Sequence, residues 1–158
     1  MDDRSSSAAL ATEDREITAV REFDAPRELV WKAWSDPEHT SKWWGPVGFT
    51  TTTDKFDFRP GGVWHHTMHG PDGTDYWNEI TYTSIVENEL IEYEHGPEHP
   101  FRTTAIFEDA GVGRTRITWR MLFPTVEQKE LVIGKYNAES GLKETIDRLG
   151  QYVTELDK

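Results

Sequence analysis

Histidine side chains are the residues of this sequence best suited to acid–base or hydrogen-bond chemistry, and His66 and His95 fall among aromatic residues. A neutral imidazole donates one hydrogen bond and accepts another, which suits a hydroxyl or carbonyl group on a ligand. Because Trp64 and Met68 stand two residues to either side of it, His66 is predicted to be buried, with its pKa lowered by desolvation. The alternative is a core histidine that is hydrogen-bonded to Asn78 or to a tyrosine.

The sequence His65-His66-x-x-His69 resembles a metal motif, but a strand cannot give it the geometry of one. His66 would point away from the other two, and His65 and His69 would lie about 13 Å apart at about 3.3 Å per residue. Zinc ligands lie at about 2 Å from the metal, so no metal site is predicted. With no cysteine, no G-x-S-x-G motif and no glycine-rich phosphate loop, neither a thiol nucleophile nor a cofactor is predicted.

Length and composition limit the functions that are open to the chain. It has 158 residues, which predicts one domain, and a formal net charge of -12, which argues against a nucleic-acid partner. No apolar run approaches the roughly 20 residues of a membrane span, and the N-terminus lacks the apolar part of a signal peptide, so a cytoplasmic protein without membrane insertion is expected. Aromatic residues make up 12% of this polar chain. They predict either a bulky core or a cavity lined with rings.

The predicted elements are one strand, two short helices, six strands and one long helix, in a domain over residues 14–157 that follows a disordered tail at 1–13. Alternation from Glu16 to Phe23 predicts the first strand. Helix starts are predicted at Asp24-Ala25-Pro26 and Asp36-Pro37-Glu38, and Gly45-Pro46 ends the second helix. The six later strands are predicted at Phe49–Phe58, Val63–His69, Tyr76–Val86, Leu90–His95, Phe101–Glu108 and Thr115–Phe123.

A single long C-terminal helix is predicted after Pro124. Thr125 and Gln128 form a capping box at its start. An apolar stripe then repeats every three to four residues, which suits a helix lying on a sheet. Gly134 and Gly141 inside the helix indicate either close packing or a kink, or space for a ligand beneath it. The stripe consists of Ala138, Leu142, Ile146 (or Thr145), Leu149 and Val153 (or Tyr152).

Five spaced motifs carry a resemblance to a known family. The motifs are Asp24-Ala25-Pro26, Trp43-Trp44-Gly45-Pro46, Arg59-Pro60-Gly61-Gly62, Met68-His69-Gly70-Pro71-Asp72-Gly73 and Arg120-Met121-Leu122-Phe123. They resemble the bacterial AHSA1-type (activator of Hsp90 ATPase homologue-like) branch of the START/polyketide cyclase/Bet v 1-like (SRPBCC) superfamily. The resemblance implies an α+β helix-grip fold, in which the long C-terminal helix packs on the concave face of the antiparallel sheet. It implies no single activity, because this fold serves carriers, receptors, cyclases and co-chaperones.

The family's name suggests a co-chaperone, but the sequence argues against an Hsp90 homologue as partner. Eukaryotic activators of this family carry a separate N-terminal domain that engages the chaperone. Here only about a dozen residues, predicted to be disordered, precede the first strand. Both a monomer and a homodimer are compatible with the sequence.

Alternation along the strands predicts which side chains face the helix. A Pro71-Asp72-Gly73 loop would place His66 opposite Asn78 and Met68 opposite Tyr76. The same alternation also turns Ile91, Phe101, Thr103, Ala105 and Ile117 inwards. The residues predicted to contact a ligand are Trp64, His66, Met68, Tyr76, Asn78, Ile80, Tyr82, Tyr93, His95, Phe107, Trp119, Met121, Ala138 and Leu142.

Three functions are open at this point. The favoured hypothesis is a protein that binds a small apolar, aromatic or lipid-like molecule between sheet and helix. One alternative is a cyclase- or hydrolase-type enzyme with His66 or His95 as general acid or base. The other is a protein-interaction module. Trp43-Trp44 either gates the cavity or anchors the second helix, and the first hypothesis depends on the interior not being filled by its own rings.

Overall fold

The computed structural model describes residues 14–96 and 100–158. The predicted disordered tail lies outside the described residues, as do residues 97–99 of the loop before the sixth strand. The described chain is an α+β helix-grip fold. Its elements are β1 Glu16–Phe23, α1 Arg27–Ser35, α2 Pro37–Trp43, β2 Thr50–Phe56, β3 Val63–His69, β4 Asp75–Val86, β5 Leu90–Gly96, β6 Phe101–Asp109, β7 Thr115–Leu122, α3 Val126–Tyr136 and α4 Ala138–Leu156.

Seven strands form one antiparallel sheet in the order β1-β7-β6-β5-β4-β3-β2. Strands β2 to β7 follow one another as hairpins, and β1 pairs with β7 at the edge. The predicted register of the β3–β4 hairpin is confirmed, since His66 lies opposite Asn78 and Met68 opposite Tyr76. Gly73 in this turn has a φ of 88°, a conformation that glycine adopts without steric cost.

The two short helices begin close to the predicted positions. The Asp36 carboxylate accepts a hydrogen bond from the Glu38 backbone N–H at 2.9 Å, and Pro37 occupies the first turn of α2, as predicted. Pro26 is the N-cap of α1 rather than part of its first turn, and no side chain caps this helix. Both helices bury their tryptophans against the sheet.

The predicted long C-terminal helix is confirmed as α4, but it starts at Ala138, and the residues after Thr125 form a separate helix. Two helices are present, and they meet at Asn137, whose φ of 54° and ψ of 44° are left-handed. Asparagine tolerates this conformation better than most residues, so it ends α3 and allows α4 to start in a new direction. The Thr125 hydroxyl does accept a hydrogen bond from the Gln128 N–H at 3.1 Å, which confirms that cap.

The break at Asn137 does not lie at either of the two glycines, Gly134 and Gly141, that were expected inside the C-terminal helix. A Cβ at Gly141 would lie 3.4 Å from Pro46 Cγ, so this position packs closely, whereas Gly134 faces open space. The apolar stripe of α4 is buried along Leu142, Ile146, Leu149 and Val153. Within the described ranges, no helix combines the length and the apolar character that a bilayer crossing requires.

Candidate functional site

The inner face of the sheet has two ends that differ in packing. We call one end the closed half, which α1 and α2 cover, and the other the open half, below α3 and the start of α4. His66 and Thr103 lie between the two halves. The closed half consists of Trp64, Tyr82, Tyr93, Phe107, Ile117 and Trp119, and the open half of Met68, Tyr76, Asn78, His95, Phe101 and Met121.

Tryptophan rings from the two short helices fill the closed half. The ring centroids of Trp34 and Trp119 are 4.6 Å apart, and those of Trp44 and Trp64 are 4.7 Å apart. The Trp43 indole N–H donates a hydrogen bond to the Ala33 carbonyl at 3.0 Å, which holds α2 on α1. Trp43 and Trp44 are both buried in this cluster. They therefore anchor the second helix, and they do not line the cavity described next.

A cavity of about 680 Å³ lies over the open half. Strands β3 to β7 form its floor, and α3 and the first turn of α4 form its roof. Its wall is mainly apolar, and the floor residues with polar side-chain atoms are Tyr76, Asn78 and His95. Two charged side chains, Asp75 and Lys135, lie at its rim and are exposed to solvent. The apolar wall consists of Pro46, Phe49, Met68, Phe101, Met121, Val132 and Ala138.

The structure brings together six of the fourteen residues that were predicted to contact a ligand. The alternation rule placed all the strand residues on the correct face, but it could not show how far α1 and α2 fill that face. The other eight residues are buried and do not line the cavity: Trp64, His66, Ile80, Tyr82, Tyr93, Phe107, Trp119 and Leu142. The six that line the cavity are Met68, Tyr76, Asn78, His95, Met121 and Ala138.

Ten of the sixteen lining residues were not among the predicted ligand contacts, and three of these ten have large apolar side chains in the cavity wall: Phe49, Phe101 and Val132. Phe101 could have been included, because strand alternation already turned it inwards. Val132 is the one buried side chain of α3, and its contact depends on the break at Asn137. Phe49 precedes β2 and has no periodic signal, so the sequence offered no means to find it.

His95 is the cavity residue best placed for polar recognition. Its ring stacks on Phe101 with centroids 4.5 Å apart and planes 13° apart. Its Nδ1 is buried and has no hydrogen-bond partner in the described part of the chain. Burial lowers the pKa of His95 to about 4, so the imidazole is neutral at pH 7.

His66 is completely buried beside the cavity floor, as predicted. Its ring stacks on Trp64 at a centroid distance of 4.0 Å. Burial, with smaller contributions from His95 and His65, lowers the pKa of His66 to about 3. The alternative that it bonds to Asn78 or to a tyrosine is wrong, because neither ring nitrogen has a partner among residues 14–96 and 100–158. The Asn78 amide donates instead to the Tyr76 carbonyl at 3.1 Å.

Comparison with known proteins identifies the family. The sequence profile described as Activator of Hsp90 ATPase homolog 1-like protein (AHSA1) matches residues 24–154. The chain belongs to the AHSA1 family. No curated protein sequence matches it.

Solved structures share the AHSA1 fold along most of the chain. A protein from Arthrobacter aurescens is 29% identical, with a TM-score of 0.82 over 91% of this chain and 88% of its own. A protein from Nitrosomonas europaea is 20% identical, with a TM-score of 0.81 over 91% and 97% of the two chains. An AHSA1-like protein from Aeromonas hydrophila is 19% identical, with a TM-score of 0.69 over 89% and 93%.

Two tyrosines in the closed half of this AHSA1 protein are protonated at neutral pH. Burial raises the pKa of Tyr82, and it raises that of Tyr93 as well. Thr103 and Trp119 face the Tyr93 hydroxyl and offset part of the rise. Their own polar atoms nevertheless lack a hydrogen bond of ordinary geometry within the described residues. The closed half thus contains polar atoms but no charge.

The remaining histidines of the predicted motif lie on the outer face of the AHSA1 sheet. The His65 imidazole is 2.8 Å from Glu79 Oε2. The His69 ring is 2.7 Å from Asp75 Oδ1 and 2.9 Å from Thr52 Oγ1. In the described part of the chain, no three His, Asp or Glu side chains are grouped so that they could hold a metal ion.

Proposed function

We propose that the protein binds a small, largely apolar molecule in the cavity over the open half. The observation that carries this proposal is an apolar space of about 680 Å³ with few polar groups in its floor. Pockets for small organic ligands commonly measure about 300–1,000 Å³ and combine apolar walls with a few polar groups that orient the ligand. Family membership supports a ligand-binding or cyclase-like domain but identifies no ligand.

Apolar side chains would supply most of the affinity. The rings of Phe49 and Phe101 offer flat surfaces, and Met68 and Met121 offer flexible thioethers that adapt to the shape of a ligand. Burying apolar surface contributes roughly 25 cal/mol per Å² before the costs of association. Asn78 and His95 would orient a polar end, since both line the floor and His95 Nδ1 has no hydrogen-bond partner within the described residues.

An enzyme with a histidine as general acid or base has less support. His66, one of the two candidates, does not line the cavity. His95 does, but its pKa of about 4 makes it a weak proton acceptor at pH 7. General acid–base catalysis is most efficient when the pKa lies near the working pH.

Filling the cavity tests the binding proposal. Ala138, at the start of α4, lines the cavity, so Ala138→Trp would place an indole in the space. Val112 is fully exposed in the β6–β7 turn at the other end of the sheet, so Val112→Trp is the matched control. The probe is N-phenyl-1-naphthylamine, a neutral dye whose fluorescence rises in apolar surroundings.

The wild-type protein and Val112→Trp are expected to bind the dye saturably with the same Kd. Ala138→Trp is expected to weaken binding by about tenfold or more, because the indole occupies the site. Equal binding by all three proteins, or no saturable binding by the wild type, would exclude this cavity as the binding site. Thermal unfolding of each variant checks that the fold is intact.

A further inference from the structure

The imidazoles of His66 and His95 are polar groups that the fold leaves without partners. Among residues 14–96 and 100–158, both ring nitrogens of His66 and the Nδ1 atom of His95 are buried and have no hydrogen-bond partner. A buried donor or acceptor that loses its partner costs the free energy of its desolvation. Because folded proteins satisfy nearly all such groups, these nitrogens indicate partners that are not part of the chain.

One of the two imidazoles lines the cavity, and the other is buried next to its floor. His95 lines it directly. His66 is two residues from Met68 on the same face of β3 and is paired with Asn78 on β4, and both of those residues line the cavity. His66 is therefore fully buried beside two residues that line the cavity. Met68 is one of them, and its unbranched thioether can move aside for a ligand at low cost.

Within residues 14–96 and 100–158, the floor of the cavity carries no charged side chain that could balance an ionised ligand. Both histidines are neutral at pH 7. The charged residues that line the cavity, Asp75 and Lys135, are exposed at its rim. An ionised carboxylate placed at the floor would lose its hydration and gain no counter-charge, which is far more costly than burying a neutral group. A hydroxyl or carbonyl suits neutral imidazoles, because each imidazole offers one donor and one acceptor.

We infer that the ligand of this cavity carries an uncharged hydroxyl or carbonyl group, which is hydrogen-bonded by His95 and His66 at the floor. This inference rests on the proposed binding function. It limits the ligand of the cavity to apolar molecules that carry an uncharged polar group at one end. Ligands that carry a carboxylate on the same apolar body are excluded from the floor.

The test compares three probes with the same naphthalene body, at pH 7.5, by displacement of N-phenyl-1-naphthylamine. Naphthalene has no polar group, 1-naphthol is neutral and 1-naphthoate is ionised. We expect 1-naphthol to bind about threefold to tenfold more tightly than naphthalene, as one or two net hydrogen bonds would give. We expect 1-naphthoate to bind at least about tenfold more weakly than 1-naphthol.

Two variants test whether the imidazoles cause the preference for 1-naphthol over naphthalene. His66→Phe and His95→Phe keep a ring in each stack but remove the nitrogens, so each should lower the preference for 1-naphthol over naphthalene. His65→Phe is the matched control, because His65 is adjacent to His66 but faces outwards and bonds to Glu79. This control should keep the preference. If His66→Phe does not fold, the binding preference of His95→Phe alone tests the inference.

The possible failures can be told apart. If none of the three probes displaces the dye and the dye itself does not bind, the proposed function fails and this inference fails with it. If naphthalene binds but 1-naphthol binds no more tightly, the inference alone is overturned. It is also overturned if 1-naphthoate binds as tightly as 1-naphthol, or if the preference survives in both His66→Phe and His95→Phe.

Discussion

The same strands build a solid core at one end of the sheet and a cavity at the other. Over the closed half, α1 and α2 insert rings from Trp31, Trp34, Trp43 and Trp44, which touch one another and the sheet. Over the open half, α3 buries one side chain, Val132. The inner faces of the strands are apolar in both halves, so the helices above them determine which half is hollow.

This difference separates stability from function within one fold. Shortening a side chain in a closely packed interior lowers the free energy of unfolding, because a void is left behind. A residue that lines an existing cavity has fewer neighbours to lose. We therefore expect the closed half to carry most of the stability, whereas changes in the open half alter binding with a smaller effect on unfolding.

The largest expected effect comes from a matched pair of phenylalanines on β6. Phe107 is 2% exposed in the closed half, and Phe101 is 9% exposed at the cavity. Phe107→Ala should lower the free energy of unfolding by about 3–5 kcal/mol, the range seen for buried rings. Phe101→Ala should cost about 1–2 kcal/mol less, since part of its ring already faces open space. Urea unfolding measures both, and equal losses would remove the distinction between the halves.

Acid should destabilise the protein through His66 and His95. Burial lowers the pKa values of these two histidines in the folded protein to about 3 and about 4, from an ordinary value of 6.5. At pH values between the folded and the unfolded pKa, the unfolded chain binds protons that the folded chain does not. The contribution of the two histidines to the free energy of unfolding is therefore present above pH 6.5 and is lost as the pH falls. Together, the two histidines should lower the free energy of unfolding by about 2 kcal/mol between pH 6 and pH 5.

Unfolding by urea at the two pH values measures this loss. His66→Phe should remove about half of it, and His65→Phe should leave it in place, because only the former removes a buried imidazole. A loss that is unchanged in His66→Phe would show that this imidazole does not carry the effect. If His95 is hydrated through the cavity, His95→Phe will remove less of the pH dependence than His66→Phe does.

Two helix glycines should respond in opposite directions to alanine. A Cβ at Gly150 of α4 would lie 2.5 Å from Phe23 Cε1, a steric overlap against β1. Gly150→Ala should therefore lower the free energy of unfolding by about 1–2 kcal/mol, after the gain in helix propensity. Gly134 of α3 faces open space, so Gly134→Ala should raise it by up to about 1 kcal/mol. Thermal unfolding of the pair would contradict this account if both changes had the same sign.

Much of the sheet could be predicted from the sequence, because local patterns determine it. Alternation sorted the inward side chains of β3 to β7, and the turn at Pro71-Asp72-Gly73 set the pairing of His66 with Asn78. A shift of the register by one residue would have turned every apolar side chain of the strand to solvent. The cap residues Asp36 and Thr125 act over two or three residues, and both are confirmed.

The cavity could not be located in the same way, because distant contacts determine it. Trp34 and Trp119 are far apart in sequence, yet their packing fills the closed half. The break at Asn137 could not be predicted from the residue type, since one asparagine costs a helix less than about 1 kcal/mol. That break separates α3 from α4 and leaves Val132 at the cavity. Eight of the fourteen predicted contacts therefore lie in the core.

The most direct test of the open half follows methyl signals by NMR while naphthalene is added. Met68 and Met121 line the cavity, and Ile117 lies on the same strand as Met121 but in the closed half. We predict that the two methionine methyls shift saturably with a common Kd and that the Ile117 methyls do not move. Methionine signals that stay fixed, or that shift no more than those of Ile117, would contradict the proposal that this cavity binds apolar molecules.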